Sequence, residues 1–105
     1  MNRISKIPKN RFEVQLMAVN YIRCKTALRE VELAIKSCPP HRLESHQTIV
    51  KHIEYVIEGL SDKYKLIIYN EVILGRTGKW YLEYISASTY YRIRDKAYEQ
   101  FLRCL

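Results

Sequence analysis

The chain has 105 residues and carries 18 Lys and Arg against 11 Asp and Glu, a net charge of +7, so it reads as one domain whose basic balance suits a polyanionic partner or plain solvation. With 48% apolar residues, nine Tyr, three Gly and three Pro, the composition excludes disorder, collagen-like repeats and a turn-rich β-sandwich, and leaves an all-α domain. A domain of this size buries about two-thirds of its unfolded surface and has little material for an enclosed substrate cavity, so surface binding is expected and enzymatic activity is not.

Met1 to Arg11 is basic and no apolar h-region follows it, and no apolar run approaches the roughly 18 to 20 residues that a bilayer demands. The chain is therefore expected to be unprocessed, away from the membrane and cytoplasmic. Residues 1–25 hold Arg3, Lys6, Lys9, Arg11, Arg23 and Lys25 against Glu13 alone, residues 26–60 are slightly acidic, and residues 61–105 are basic again. Positive ends suit nucleic acid, because each phosphate neutralised releases counterions. From about Lys9 to Lys36, Val14, Met17, Tyr21, Cys24, Leu28, Val31 and Ile35 alternate at spacings of 3 and 4, a helix seam that Pro39 and Pro40 must end. A second helix from about Leu43 carries the matching stripe His46, Val50, Ile53, Ile57 and Leu60. The two are predicted to close as a long antiparallel hairpin with the prolines at its bend. The rival for the first seam is an intermolecular coiled coil, which would make a homodimer.

Ser61 is a good N-cap and Asp62 meets the positive end of the dipole, so a third helix is predicted through Tyr64, Ile67, Ile68, Glu71, Val72 and Leu74 to a stop at Gly75. Arg76 to Lys79 then form a short basic loop, Trp80 to Tyr84 a brief helix, and Ser86 caps a last helix from Ser88 to about Arg103. That makes about five helices. Trp80 and Tyr84, four apart, would form an aromatic wedge against the hairpin. On the last helix Tyr90, Ile93, Ala97 and Phe101 recur as a buried face, while Ala87, Ser88, Tyr91, Arg92 and Lys96 project from the other side. Small residues at the start with Arg and Lys following suit the major groove, where Ser and Arg can reach bases and Tyr and Lys can meet phosphates. The candidate nucleic-acid-binding residues are thus Ser86, Ala87, Ser88, Tyr91, Arg92, Arg94 and Lys96, with Arg76 and Lys79 from the basic loop.

The segment Ile85-Ser86-Ala87-Ser88-Thr89-Tyr90-Tyr91-Arg92, followed by Lys96-Ala97, resembles the helix-turn-helix of ArpU-type phage transcriptional regulators and, more loosely, region 4 of sigma factors. Upstream, Leu60-Ser61-Asp62-Lys63-Tyr64-Lys65-Leu66-Ile67-Ile68-Tyr69 is similar to the helix that precedes the motif in those proteins. The resemblance covers about residues 60–105 and leaves the hairpin unexplained. It implies a transcriptional regulator whose residues Ser86 to Lys96 recognise double-stranded DNA. Against the family pattern, Trp80 stands where Ala is usual, Glu83 where an apolar residue is usual, and Tyr84 where Gly is common. The first helix of the motif is accordingly expected to be rotated or its turn shortened.

Other patterns are weaker. Gly75-Arg76-Thr77-Gly78-Lys79 lacks the spacing and the preceding strand of a phosphate loop. Cys38, His41 and His46 cluster at the bend without a second ligand pair, so no metal and no cofactor are expected. Cys24, Cys38 and Cys104 read as free thiols. The competing function is a small helical protein-interaction module, docked on RNA polymerase or another partner through the seam or the aromatic patch.

Overall fold

The computed structural model describes the backbone of residues 3–34 and 37–105, and within those ranges the side chains from Lys9 onward. Apolar side chains repeating at 3 and 4 on a helix have to be covered. On the first helix, α1 (Arg3–Glu32), they are: Val14, Tyr21 and Cys24 are buried, and Met17 and Leu28 pack beside them. The cover comes from α2 (Pro40–Glu58), from α4 (Ala87–Cys104) and from a single π-helical turn at Tyr69–Ile73. From Val14 to Cys24 the seam is therefore filled within one chain, while Leu28 and Val31 further along are half-buried.

Both ends of α1 differ from the sequence-based expectation. It starts at Arg3, six residues before Lys9, and runs through Pro8. It stops at Glu32: the Leu33 amide still makes the regular helical bond to Arg29 O at 2.9 Å, but the Ala34 amide closes a tighter turn on Val31 O at 3.0 Å, with Ala34 at φ +59. That left-handed conformation ends a helix, and an alanine adopts it at a steric cost of about 1 to 2 kcal/mol. Ile35 and Lys36, the last residues of the predicted helix, lie outside the described residues. α2 begins at Pro40 instead of Leu43. Proline is pre-set for the first helical position and the amide it lacks would have had no partner there. Extended Pro39 offers its carbonyl to the amides of Arg42 and Leu43, both at 3.0 Å. α1 and α2 are fastened side by side where Tyr21 donates its hydroxyl to Glu54 Oε2 at 2.5 Å, 3.6 Å from Lys25 Nζ.

The third helix, α3 (Asp62–Ile68), has Ser61 at its N-cap, although the hydroxyl makes no capping bond. It runs straight into the π turn, where the Leu74 amide reaches back five residues to Tyr69 O at 3.1 Å. Asn70, buried here, satisfies its own amide by donating to Leu66 O at 2.7 Å. Gly75 at φ +65 then lets the Arg76 amide close on Asn70 O at 2.9 Å, a turn that a Cβ would strain. The predicted brief helix at Trp80–Tyr84 is only one turn of 3-10 helix at Trp80–Glu83, because two adjacent aromatic side chains, Trp80 and Tyr81, are both buried there. The described residues thus form four α-helices, not about five.

α4 follows Ser86, whose Oγ accepts the Thr89 amide at 3.2 Å. Its inner face matches the expectation: Tyr90, Ala97 and Phe101 are buried, joined by Tyr98, and Ile93 is half-buried. Phe101, Ile67, Ile68, Val72 and Cys24 are the largest side chains sealed from solvent, so helices from both halves of the chain share one core.

Phe101→Ala is expected to cost about 3 to 5 kcal/mol, since it empties a sealed site. Leu28→Ala, at a half-buried position, should cost less, about 2 kcal/mol. Urea unfolding of both variants checks the order; an unshifted midpoint for Phe101→Ala would remove this core.

Candidate nucleic-acid interface

A carboxylate in a half-buried position needs its oxygens filled by donors. Glu71, in the π turn, is surrounded by three of them: Trp80 Nε1 donates to Oε2 at 3.0 Å, the Tyr90 hydroxyl donates to the same oxygen, and the Tyr98 hydroxyl donates to Oε1. The rings pack as well as bond. Tyr81 stacks on Tyr90 with centroids 3.8 Å apart and planes 5° from parallel, while Trp80 meets the edge of Tyr90 at 5.9 Å. Edge and offset contacts of this kind add to the area they bury. Burial first, and then the Glu71 carboxylate, push the Tyr90 and Tyr98 phenols well above their ordinary value of 10.0. The cage joins the π turn, the 3-10 turn and α4 through one acid. Trp80 is turned inward to Glu71, and Glu83 stays in solvent. Trp80 meets the rings of Tyr81, Tyr84 and Tyr90, so it makes its wedge in the 3-10 turn and α4 and not in the hairpin.

With its inner face fixed, α4 turns Ser86, Ala87, Ser88, Tyr91, Arg92 and Lys96 to solvent. Ser88, Arg92 and Lys96 recur at intervals of 4 and lie along one stripe. Ser86, Ser88 and Thr89 form a hydroxyl cluster at its first turn, with Ser86 Oγ 2.9 Å from Thr89 Oγ1 and 3.2 Å from Ser88 Oγ. Arg76 and Lys79 are exposed in the loop before the 3-10 turn, Arg76 Nη1 lying 3.9 Å from Glu83 Oε2. Arg94 departs from the set. Its side chain is only 16% exposed, its guanidinium lies 5.0 Å from the Tyr91 ring centroid, and its Nε sits 3.4 Å from Asp95 Oδ1. The same Asp95 oxygen is 3.5 Å from Arg11 Nε of α1. Arg94 is thus turned inward beside the Asp95–Arg11 contact between α4 and α1, because it lies four residues after buried Tyr90 and four before buried Tyr98, on the inner side of the helix and not on the outward stripe.

The Glu71 cage was legible only in part, since an acid on the predicted stripe of Tyr64, Ile67, Ile68 and Val72 was the one signal for it. A second feature went unread. On the side of α1 away from its seam, Phe12, Leu16 and Val19 are 60%, 47% and 55% exposed, and their 4-3 spacing repeats the signal that marked the seam. α1, α2 and the π turn also border an open groove of about 1330 Å³. Its charged lining has both signs, with Lys25, Arg29 and Lys51 against Glu32, Glu54 and Glu58.

Among the described residues no three His, Cys, Asp or Glu side chains gather as metal ligands, and Cys24, Cys38 and Cys104 are free thiols. No helix among them is long and apolar enough to cross a membrane. Comparison with protein-family models, with curated proteins and with solved structures returns no match to this chain.

Glu71→Ala should cost about 3 kcal/mol, because it leaves buried donors without an acceptor, and Glu71→Gln, which keeps a carbonyl, should cost less. The phenols give a pH signature. Tyr21, Tyr90 and Tyr98 hold their protons more tightly in the fold than in the unfolded chain, where they titrate near 10.0. Their contribution to stability is complete below pH 10 and falls away as the pH rises beyond it. In an alkaline titration, these three phenolates should appear in the near-ultraviolet spectrum only as the helical circular dichroism is lost. Nine tyrosines titrating together near pH 10 with the helices intact would contradict the cage.

Proposed function

We propose that this chain is a DNA-binding transcriptional regulator that lays the first turns of α4 in the major groove of a duplex. The observation that carries the reading is the division of α4 into two faces: Tyr90, Ala97 and Phe101 are sealed in the core while Ser88, Tyr91, Arg92 and Lys96 are all in solvent. A helix held rigidly on one side, with small residues at its start and planar and point cations following, matches what base edges and phosphates require. The net charge of +7 supports it, since a polyanion is attracted before any specific contact forms.

Roles follow from position. Ser88 and Arg92 face base edges, with the guanidinium fork of Arg92 suited to the two acceptors of guanine. Lys96, one turn further along, meets phosphate, and Arg76 and Lys79 add backbone contacts from the loop. Ser86 caps the helix and fixes its entry angle. Arg94, turned inward against Tyr91 and Asp95 of its own helix, does not face DNA. The first helix of the resembling motif is reduced here to the 3-10 turn, and the Glu71 cage takes over its task of bracing the recognition helix.

Arg92→Ala is expected to cost about 1 to 3 kcal/mol on a duplex selected from random sequence and to relax preference at one or two base pairs. Lys96→Ala should weaken selected and scrambled duplexes alike and reduce the salt slope by about one unit. Fluorescence anisotropy across a salt series separates the two. If the parent chain binds no duplex in a salt-dependent way, the reading fails.

A further inference from the structure

Among the described residues α1 carries apolar side chains on two opposite sides, one buried in the core and the other exposed. The seam through Val14, Tyr21 and Cys24 is in the core, whereas Phe12, Leu16 and Val19 continue as a second stripe in solvent that ends at exposed Arg23 and Thr26. Counted from Phe12 the apolar steps are 4 and 3, one heptad of the spacing by which a helix packs along another helix. Among the described residues no buried cluster includes these three side chains, and a contiguous exposed apolar strip is the usual mark of a docking face.

The charges at its ends say what the strip can receive. Lys9 lies one turn before Phe12 and is 74% exposed, with Glu13 only 4.0 Å away as a loose surface pair, and Arg23 lies one turn after Val19. A second copy of the chain is a poor occupant. An antiparallel pair centred on Leu16 sets Lys9 of each copy against Arg23 of the other, and a parallel pair sets Lys9 on Lys9 and Arg23 on Arg23. Two other cations of α1, Arg11 and Lys25, are already paired with Asp95 and Glu54.

We propose that the outer stripe of α1 is a docking face for an amphipathic helix of another protein whose apolar residues repeat at 3 and 4 and whose flanks are acidic. Phe12, Leu16 and Val19 supply the apolar contact, and Lys9 and Arg23 clasp the carboxylates at its two ends. This goes beyond DNA binding and does not depend on it, because the stripe lies on the side of α1 away from the seam that packs on α4. A regulator built this way would hold a duplex with α4 and a protein with α1 at the same time.

The probes are two synthetic three-heptad peptides with Leu at the seam positions, one flanked by Glu and the other by Lys. The full chain should bind the Glu peptide, bind the Lys peptide at least about tenfold less well, and lose affinity for the Glu peptide as salt rises. Leu16→Ser and Phe12→Ser should each weaken that binding by about tenfold or more, with circular dichroism and the unfolding midpoint unchanged because both side chains are solvent-facing. Equal binding of the two peptides, or unaltered binding by Leu16→Ser, would overturn the proposal. So would a dimer in analytical ultracentrifugation that Leu16→Ser dissolves, which would assign the stripe to a second copy. Adsorption to phosphatidylserine vesicles that Leu16→Ser abolishes would assign it to a lipid surface and overturn the proposal equally.

Discussion

Removing a carboxylate from water is costly unless its oxygens are filled, and Glu71 is filled by three donors that lie 9, 19 and 27 residues further along the chain. Because two of the donors, Trp80 and Tyr90, are carried by rings that meet each other edge to face, loss of the acid would loosen the aromatic cluster as well as three hydrogen bonds. The orientation of α4 rests on this one site. Tyr90 and Tyr98 are on its inner face, and Trp80 fixes the turn before it, so the outward face is set indirectly by what happens to one acid on the other side of the helix.

A second constraint works at longer range. Asp95 lies between Arg11 of α1 and Arg94 of α4, and Glu54 of α2 lies between Tyr21 and Lys25 of α1. In both places an acid on one helix meets donors or cations on α1, so α1 is tied to α2 on one side and to α4 on another. These pairs are partly exposed and each contributes little to stability. Their effect is on geometry, since they select one rotation of α1 among those that would bury the seam. They also consume positive charge, so part of the cationic excess in the first 25 residues is structural and not available to a polyanion.

Hydrophobic spacing alone made α1, α2 and the inner face of α4 legible, because their stripes repeat at the helical period and each has one large apolar partner surface. Helix ends were less legible. The start of α2 at Pro40 follows from a missing amide that costs nothing in the first turn, but the end of α1 at Glu32 depends on Ala34 adopting a left-handed conformation that the residue type does not favour. The 3-10 turn could not be read either, since Trp80 to Glu83 carries no periodicity and its form is imposed by two neighbouring aromatics finding burial together. Of the candidate site, the exposed stripe Ser88, Arg92 and Lys96 was readable as the complement of the buried face. Arg94, two residues from Arg92, falls about 200° around the helix on the inner side, one turn from buried Tyr90 and Tyr98, where Tyr91 and Asp95 lie beside it.

The π turn holds one residue more than a regular helical turn would, and this makes the length of the chain from Asp62 to Gly75 a fixed quantity. Deleting a single residue there would restore an ordinary helix and swing Glu71 about 100° around its axis, away from all three of its donors. The loop that follows has the opposite character. Gly78, at φ +71, resists a side chain only through its own backbone, since a Cβ there would meet nothing within 4 Å, and Arg76 to Lys79 are all in solvent. Length variation during divergence is therefore confined to one side of Gly75: the loop can grow or shrink and vary its cations, while the helix before it has to keep its count.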